Sequence, residues 1–255
     1  MIRLSAAAAA CVLALSSTSA LASAQSSVTL GSVSFTLIDL NPLDGIAPSF
    51  SFLSSAGSTL LNVSATEEGL GTDSFSRERV GTYTFSRDFL TDLVNASASG
   101  SIDGHDISLS GSALTPNTSY SADAFVGSLS AFNLSLSANT LLLIQADASL
   151  LASSTFGDSA SATASLSLSY SYGSVSFADT KTLSAVIGAE GGSQSVHDFL
   201  SSAFVNTSGE TQKGVFSLSA SVAGESVTPI PEPETYALAI AGLCVAGSLA
   251  RRRRG

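Results

Sequence analysis

The chain has no tryptophan, one methionine, two histidines and two cysteines in 255 residues, and only 12% of it is charged. Each shortage narrows what it can do. Both cysteines, Cys11 and Cys244, lie in apolar stretches near the ends. Residues 25–228 therefore hold no disulfide and no thiolate metal site, and their fold must rest on packing alone. His105 and His197, without an HExxH pattern, are too few for a histidine-rich metal centre. No G-x-S-x-G nucleophile elbow occurs although serine fills 52 positions, and no pair of acids stands out as a glycosidase dyad. Without tryptophan the chain lacks the side chain most useful for stacking on sugars. These shortages predict a protein that is not an enzyme and carries no cofactor.

Positive charge is also scarce where it would matter. Five of the ten basic residues sit near the ends, as Arg3 and Arg251, Arg252, Arg253 and Arg254. Residues 25–228 keep only Arg77, Arg79, Arg87, Lys181 and Lys213 against eighteen acids, a net charge of −13 (5 minus 18). A body so acidic excludes nucleic acid as a partner and disfavours an anionic membrane surface.

What is present is organised in three parts. Residues 1–24 open with Arg3, continue through an apolar run and end in small residues, with Ala22-Ser23-Ala24 before Gln25. That order is a secretory signal peptide for the Sec translocon, with cleavage expected after Ala24. Residues 235–250 are sixteen uncharged positions, about 24 Å long as a helix. They make a short transmembrane helix needing anchors at its edges. Tyr236 supplies one anchor, and Arg251 to Arg254 supply the other, on the cytoplasmic side, which leaves the body exported. Pro231 and Pro233 hold residues 230–234 extended, outside the helix.

The ordered set Pro231-Glu232-Pro233, Thr235, Ala237-Leu238, an apolar helix containing Gly242 and Gly247, and the terminal arginine cluster resembles the PEP-CTERM sorting signal of Gram-negative bacteria, over residues 229–255. Cys244 and Ser248 within the helix are its minor departures. The resemblance implies an exosortase partner, a membrane-embedded cysteine transpeptidase that cuts at the Pro-Glu-Pro element. The protein would be inserted transiently in the inner membrane and then passed to the cell surface or extracellular matrix. The resemblance also implies a host that makes exopolysaccharide or biofilm.

Residues 25–228 form a Ser/Ala/Gly-rich domain whose dominant signal is period two. Leu166, Leu168, Tyr170 and Tyr172 alternate with serines, as do Phe216, Leu218, Ala220 and Val222, and Phe132, Leu134 and Leu136. Such alternation predicts strands with one face buried and one wet; the run from Leu141 fits either a short helix or a buried strand, and a strand is expected. The expected fold is all-β, a sandwich-like or elongated antiparallel domain. GSVSF occurs at 31–35 and 173–177, and at both places the apolar phase slips by one. A slip requires a bulge or a two-residue hairpin at the Gly-Ser pair. FSRE and FSRD, beginning at Phe75 and Phe85, flank Val80-Gly81-Thr82-Tyr83, which is expected to continue one strand or fold into a hairpin. The arginines there offer a patch for acidic polysaccharide or, more simply, pair with nearby acids.

Two loops gather oxygen ligands: Asp39, Asn41 and Asp44, and Asp103 with Asp106 beside His105. They are weak calcium candidates, since Asp39 to Gly45 misses the calcium-loop spacing by one residue and turns favour Asp, Asn and Gly anyway. Taken together, the sequence points to an exported surface or extracellular-matrix protein of structural or adhesive role. The alternative is a carbohydrate-binding, or carbohydrate-cleaving, module carried by the same signal.

Overall fold

The computed structural model describes residues 23–53, 58–67, 71–80, 84–90, 94–101, 106–126, 132–172, 174–227 and 241–242. Wherever apolar residues and serine alternate, the chain is strand. The fourteen strands among the described residues are β1 (Ala24–Asp39), β2 (Phe50–Phe52), β3 (Ser58–Glu67), β4 (Gly71–Val80), β5 (Thr84–Leu90), β6 (Val94–Ser101), β7 (Asp106–Ala113), β8 (Thr118–Val126), β9 (Phe132–Leu136), β10 (Thr140–Ser154), β11 (Ser159–Tyr172), β12 (Val175–Ile187), β13 (Gly192–Asn206) and β14 (Gln212–Ser226). The run from Leu141, ambiguous in pattern, is part of β10.

Six strands form one sheet in the order β13-β10-β1-β7-β6-β5, and the second sheet follows β12-β11-β14-β8-β3-β4, with β9 paired to β14 and β2 to β9. Every pairing between described strands is antiparallel. The sheets meet face to face, β10 against β11, β1 against β14 and β7 against β8, as the expected all-β sandwich requires. Residues 22–227 belong to one compact unit.

The two GSVSF copies solve the same phase problem differently. In β1 the register shifts between Leu30 and Val33, so Gly31 and Ser32 form a bulge opposite β10. The bulge keeps Val28 and Leu30 buried on one side of it and lets Val33, Phe35 and Leu37 pack on the same core beyond it. At the second copy Tyr172 pairs with Val175, so the chain reverses across two residues and joins β11 to β12. The stretch between the FSRE and FSRD echoes departs from both expectations. β4 lies at the edge of one sheet and β5 at the edge of the other, and the two are not paired. The chain crosses between layers there, because each strand completes a different sheet.

The core is graded in size along the strands. Near the start of β1 it is lined by Ala24, Ala152, Ala160, Ala162, Ala113 and Ala122, whereas the opposite end holds Leu142, Ile144, Leu168, Phe204 and Phe216. Alanine leaves the first end underfilled, and Tyr120 occupies the space. A Cβ on Gly111 would fall 2.0 Å from the Tyr120 ring, and one on Gly224 would fall 2.5 Å from it. The Tyr120 hydroxyl lies 2.7 Å from Ser26 Oγ of the other sheet. Phe204 fills the far end in the reciprocal way, with its ring 2.8 Å from a Cβ placed on Gly214 and stacked on Tyr170 at 4.5 Å.

Burial pushes the Tyr120 phenol up to about 12, against the smaller opposing effect of the Ser26 hydrogen bond. The folded state therefore holds the Tyr120 proton more tightly than the unfolded chain does. That stabilisation is whole below pH 10 and is lost as pH rises from about 10 through about 12. At pH 11 the wild type should have lost about 1.4 kcal/mol more of its neutral-pH stability than Tyr120→Phe has, as read by urea unfolding at pH 8 and pH 11. Equal losses in both proteins would contradict this.

Candidate functional site

The sandwich presents two broad outer faces: that of the larger sheet carries mainly hydroxyls, and that of the smaller sheet mixes hydroxyls with exposed apolar side chains such as Leu151 and Phe199. On the larger sheet Ser165 bonds Thr182 at 2.9 Å, Ser167 bonds Thr180 at 3.1 Å, Ser64 bonds Ser121 at 2.8 Å, and Ser76 donates to Asn62 Oδ1 at 2.7 Å. Register extends the rows: Ser184, Thr163, Ser221, Asp123, Asn62 and Ser76 lie side by side across six strands. On the smaller sheet Thr29 and Ser108 align with Ser149 and His197. Cross-strand hydroxyl pairs of this kind contribute a few tenths to about 1 kcal/mol each, and their remaining lone pairs face water.

One cluster on the smaller sheet was invisible in the sequence. Ser149 Oγ lies 2.8 Å from His197 Nδ1, and Asp147 Oδ1 lies 3.6 Å from the same nitrogen. Ser149 and Asp147 stand two apart on one strand, and His197 arrives by pairing of β10 with β13. A nucleophilic relay needs serine and carboxylate on opposite ring nitrogens. Here both address one nitrogen, so the cluster is a polar cross-strand contact. Nothing in a serine-rich sequence marks Ser149, since its partner is 48 residues away.

The open sides of the sandwich carry charge on their inward faces. On β12, Lys181 Nζ lies 3.0 Å from Asp179, which also accepts from Ser202 Oγ of β13 at 2.8 Å. Lys181 and then Ser202 hold the Asp179 carboxyl below its usual range. At the other side, Arg77 of β4 is exposed opposite the buried Leu61. Such inward charges block strand addition at sheet edges. The side chains of Arg79 and Arg87 lie outside the described residues.

The calcium candidates separate. Asp39 Oδ1 accepts from the Asn41 N–H at 2.9 Å, and Asp44 Oδ1 accepts from the Ile46 N–H at 2.7 Å while its other oxygen takes the Asn139 amide at 2.7 Å. These carboxylates cap turns, which is the conformational use of such residues. Asp106 opens β7 and is exposed, and Asp103 and His105 lie outside the described residues. Among the described residues no group of three or more His, Cys, Asp or Glu side chains is placed to hold a metal.

At the ends of the body, Ala24 is fully buried at the start of β1, with Gln25 exposed beside it. Ala22 lies outside the described residues. So do Pro231, Glu232, Pro233, Thr235, Tyr236, Ala237, Leu238, Gly247 and the four terminal arginines, while Gly242 is helical and exposed. No helix among the described residues is long and apolar enough to cross a membrane.

Residues 229–254 match the PEP-CTERM protein-sorting motif. No curated protein and no solved structure matches the chain. The motif is a substrate signal for exosortase and marks the protein as one exported and sorted to the cell surface.

The Asp44 geometry sets an expectation for the calcium question. Asp44→Ala removes two hydrogen bonds to a carboxylate in an exposed loop and should cost about 1 kcal/mol, seen as a lower midpoint in urea unfolding. Millimolar calcium should leave the wild-type midpoint unchanged, and a calcium-dependent rise abolished by Asp44→Ala would contradict the capping role.

Proposed function

We propose that this protein is a non-catalytic structural or adhesive component of the cell surface or extracellular matrix, delivered there by exosortase. The observation that carries the reading is the sorting motif at residues 229–254, joined to a body whose larger sheet carries ordered rows of serine and threonine on its outer face. Polysaccharide is itself a hydroxyl surface. An array of fixed hydroxyls exchanges hydrogen bonds with it many times over, each weak and together additive. A body with net negative charge and blocked sheet edges resists self-association before it reaches that setting.

A carbohydrate-binding module is the second reading, favoured by one feature. Tyr172 and Phe177 are about half exposed next to the β11–β12 turn, and Phe177 is stacked on Tyr170 at 5.0 Å. Exposed rings of this kind present a flat apolar face to a sugar.

The test is the intact mass of the protein recovered from the cell surface or medium, in hosts with and without exosortase. The proposal expects loss of the helix and arginines only where exosortase is present, and accumulation of the uncut chain in the inner membrane where it is absent or where Glu232 is replaced by Ala. An uncut C-terminus in both hosts would overturn exosortase delivery. A glycan array, run with calcium and with chelator, separates the two roles: saturable binding to one sugar class lost in Tyr172→Ala favours the module, and broad weak retention favours the matrix role.

A further inference from the structure

The two ends of the body converge on one buried carboxylate. Asp158, in the tight connection from β10 to β11, is 1% exposed. Its Oδ1 accepts the Val227 N–H at 2.9 Å, at the point where the chain leaves β14 toward the sorting segment. Its Oδ2 accepts the Thr155 hydroxyl at 2.5 Å. Thr155 Oγ1 in turn accepts the Ser23 N–H at 3.0 Å, and the Thr155 N–H donates to the Ser23 carbonyl at 2.9 Å. Ser23 and Ala24 are thus built into the sandwich: Ala24 is fully buried and pairs with Ser154 on one side and Ala113 on the other.

This arrangement has a deficit of positive charge. A buried carboxylate needs a cation or several strong donors, and among the described residues no Lys, Arg or His pairs with Asp158. Ser154 Oγ, in register with Ala24, is buried there with no hydrogen-bond partner among the described residues. Besides Val227, the next main-chain nitrogen in the chain of bonds is that of Ser23, reached through the Thr155 hydroxyl. As an amide it has one N–H, already given to Thr155; as a free amine it would carry three and a positive charge.

We propose that Asp158 is the receptor of the mature N-terminus, and that the signal peptide is removed between Ala22 and Ser23. The inference rests on the export reading, and it shifts the cut by two residues from the position expected after Ala24. Ala20-Leu21-Ala22 supplies the small-x-small triplet such a cut requires. Hydrolysis adds water across the Ala22–Ser23 amide: the hydroxyl goes to the Ala22 carbonyl carbon, and the nitrogen leaves as an amine that takes up a proton. The Ser23 α-ammonium, held at Thr155, then faces the Asp158 carboxylate through one hydroxyl and offers two further donors. A cut after Ala24 would discard Ser23, its two bonds to Thr155 and a fully buried core residue. Removal of the leader thereby locks the end of the sandwich from which the sorting segment departs.

The full chain, expressed with its own leader in a Gram-negative host and recovered after export, gives both readouts. N-terminal sequencing should return Ser23 as the first residue. The α-amine should acylate at neutral pH at least about tenfold more slowly in the folded wild type than in Asp158→Asn, the change one pKa unit makes. If Asp158→Asn does not fold, the wild type unfolded in urea serves as the fast reference. A mature N-terminus at Gln25 overturns the inference while leaving export intact, and equal amine reactivity with and without the Asp158 carboxylate overturns the receptor role. An uncleaved leader contradicts the export reading itself, and the inference with it.

Discussion

The phase of side-chain alternation is the constraint on which the structure depends. With no covalent cross-link in the body, stability comes from one apolar layer between two sheets, and a strand that slips by one residue turns its serines inward and its leucines out. Each device in the fold serves to keep that phase. The Gly31-Ser32 bulge absorbs an odd residue in the longest strand, so that Leu30 and Phe35 both reach the core. Tyr120 and Phe204, each seated over glycine, tie the sheets into one relative position, because neither ring fits over a residue bearing a Cβ.

That constraint also shapes the surface. Alternation with serine gives the larger sheet an outer face of hydroxyl rows, and the sheet margins carry Asp179, Lys181 and Arg77 where a bare strand edge would invite another chain. The first and last described residues of the body, Ser23 and Val227, are both tied to Asp158, directly or through Thr155.

Much of this was legible in the sequence. Period two over residues such as Leu166 to Tyr170 gave strand type and inward face together, and the phase slips at 31–32 and 173–174 marked places where the backbone had to be irregular. Whether each slip became a bulge or a hairpin was not legible, since that depends on which strand lies alongside: β10 continues past the first copy, while β12 is itself the continuation of the second. The crossing between β4 and β5 was hidden for the same reason, because local pattern does not record sheet membership. Asp158 and the Ser149–His197 contact depend on residues 48 to 132 positions apart and leave no local trace. The C-terminal motif was the opposite case, a set of parts contiguous in the chain and readable without any fold.

The phase claim can be measured directly, because the body has no cysteine of its own. With Cys244 replaced by Ser, single cysteines placed along β1 at Val28, Thr29, Leu30, Val33, Ser34 and Phe35 would be tested for thiol labelling in the folded exported protein. The structure requires fast labelling at 29 and 34 and protection at 28, 30, 33 and 35, two protected sets out of step by one residue across the bulge. Protection at 34 with labelling at 33 and 35 would mean that the strand keeps a single phase through Gly31-Ser32, and the account of the core would be wrong.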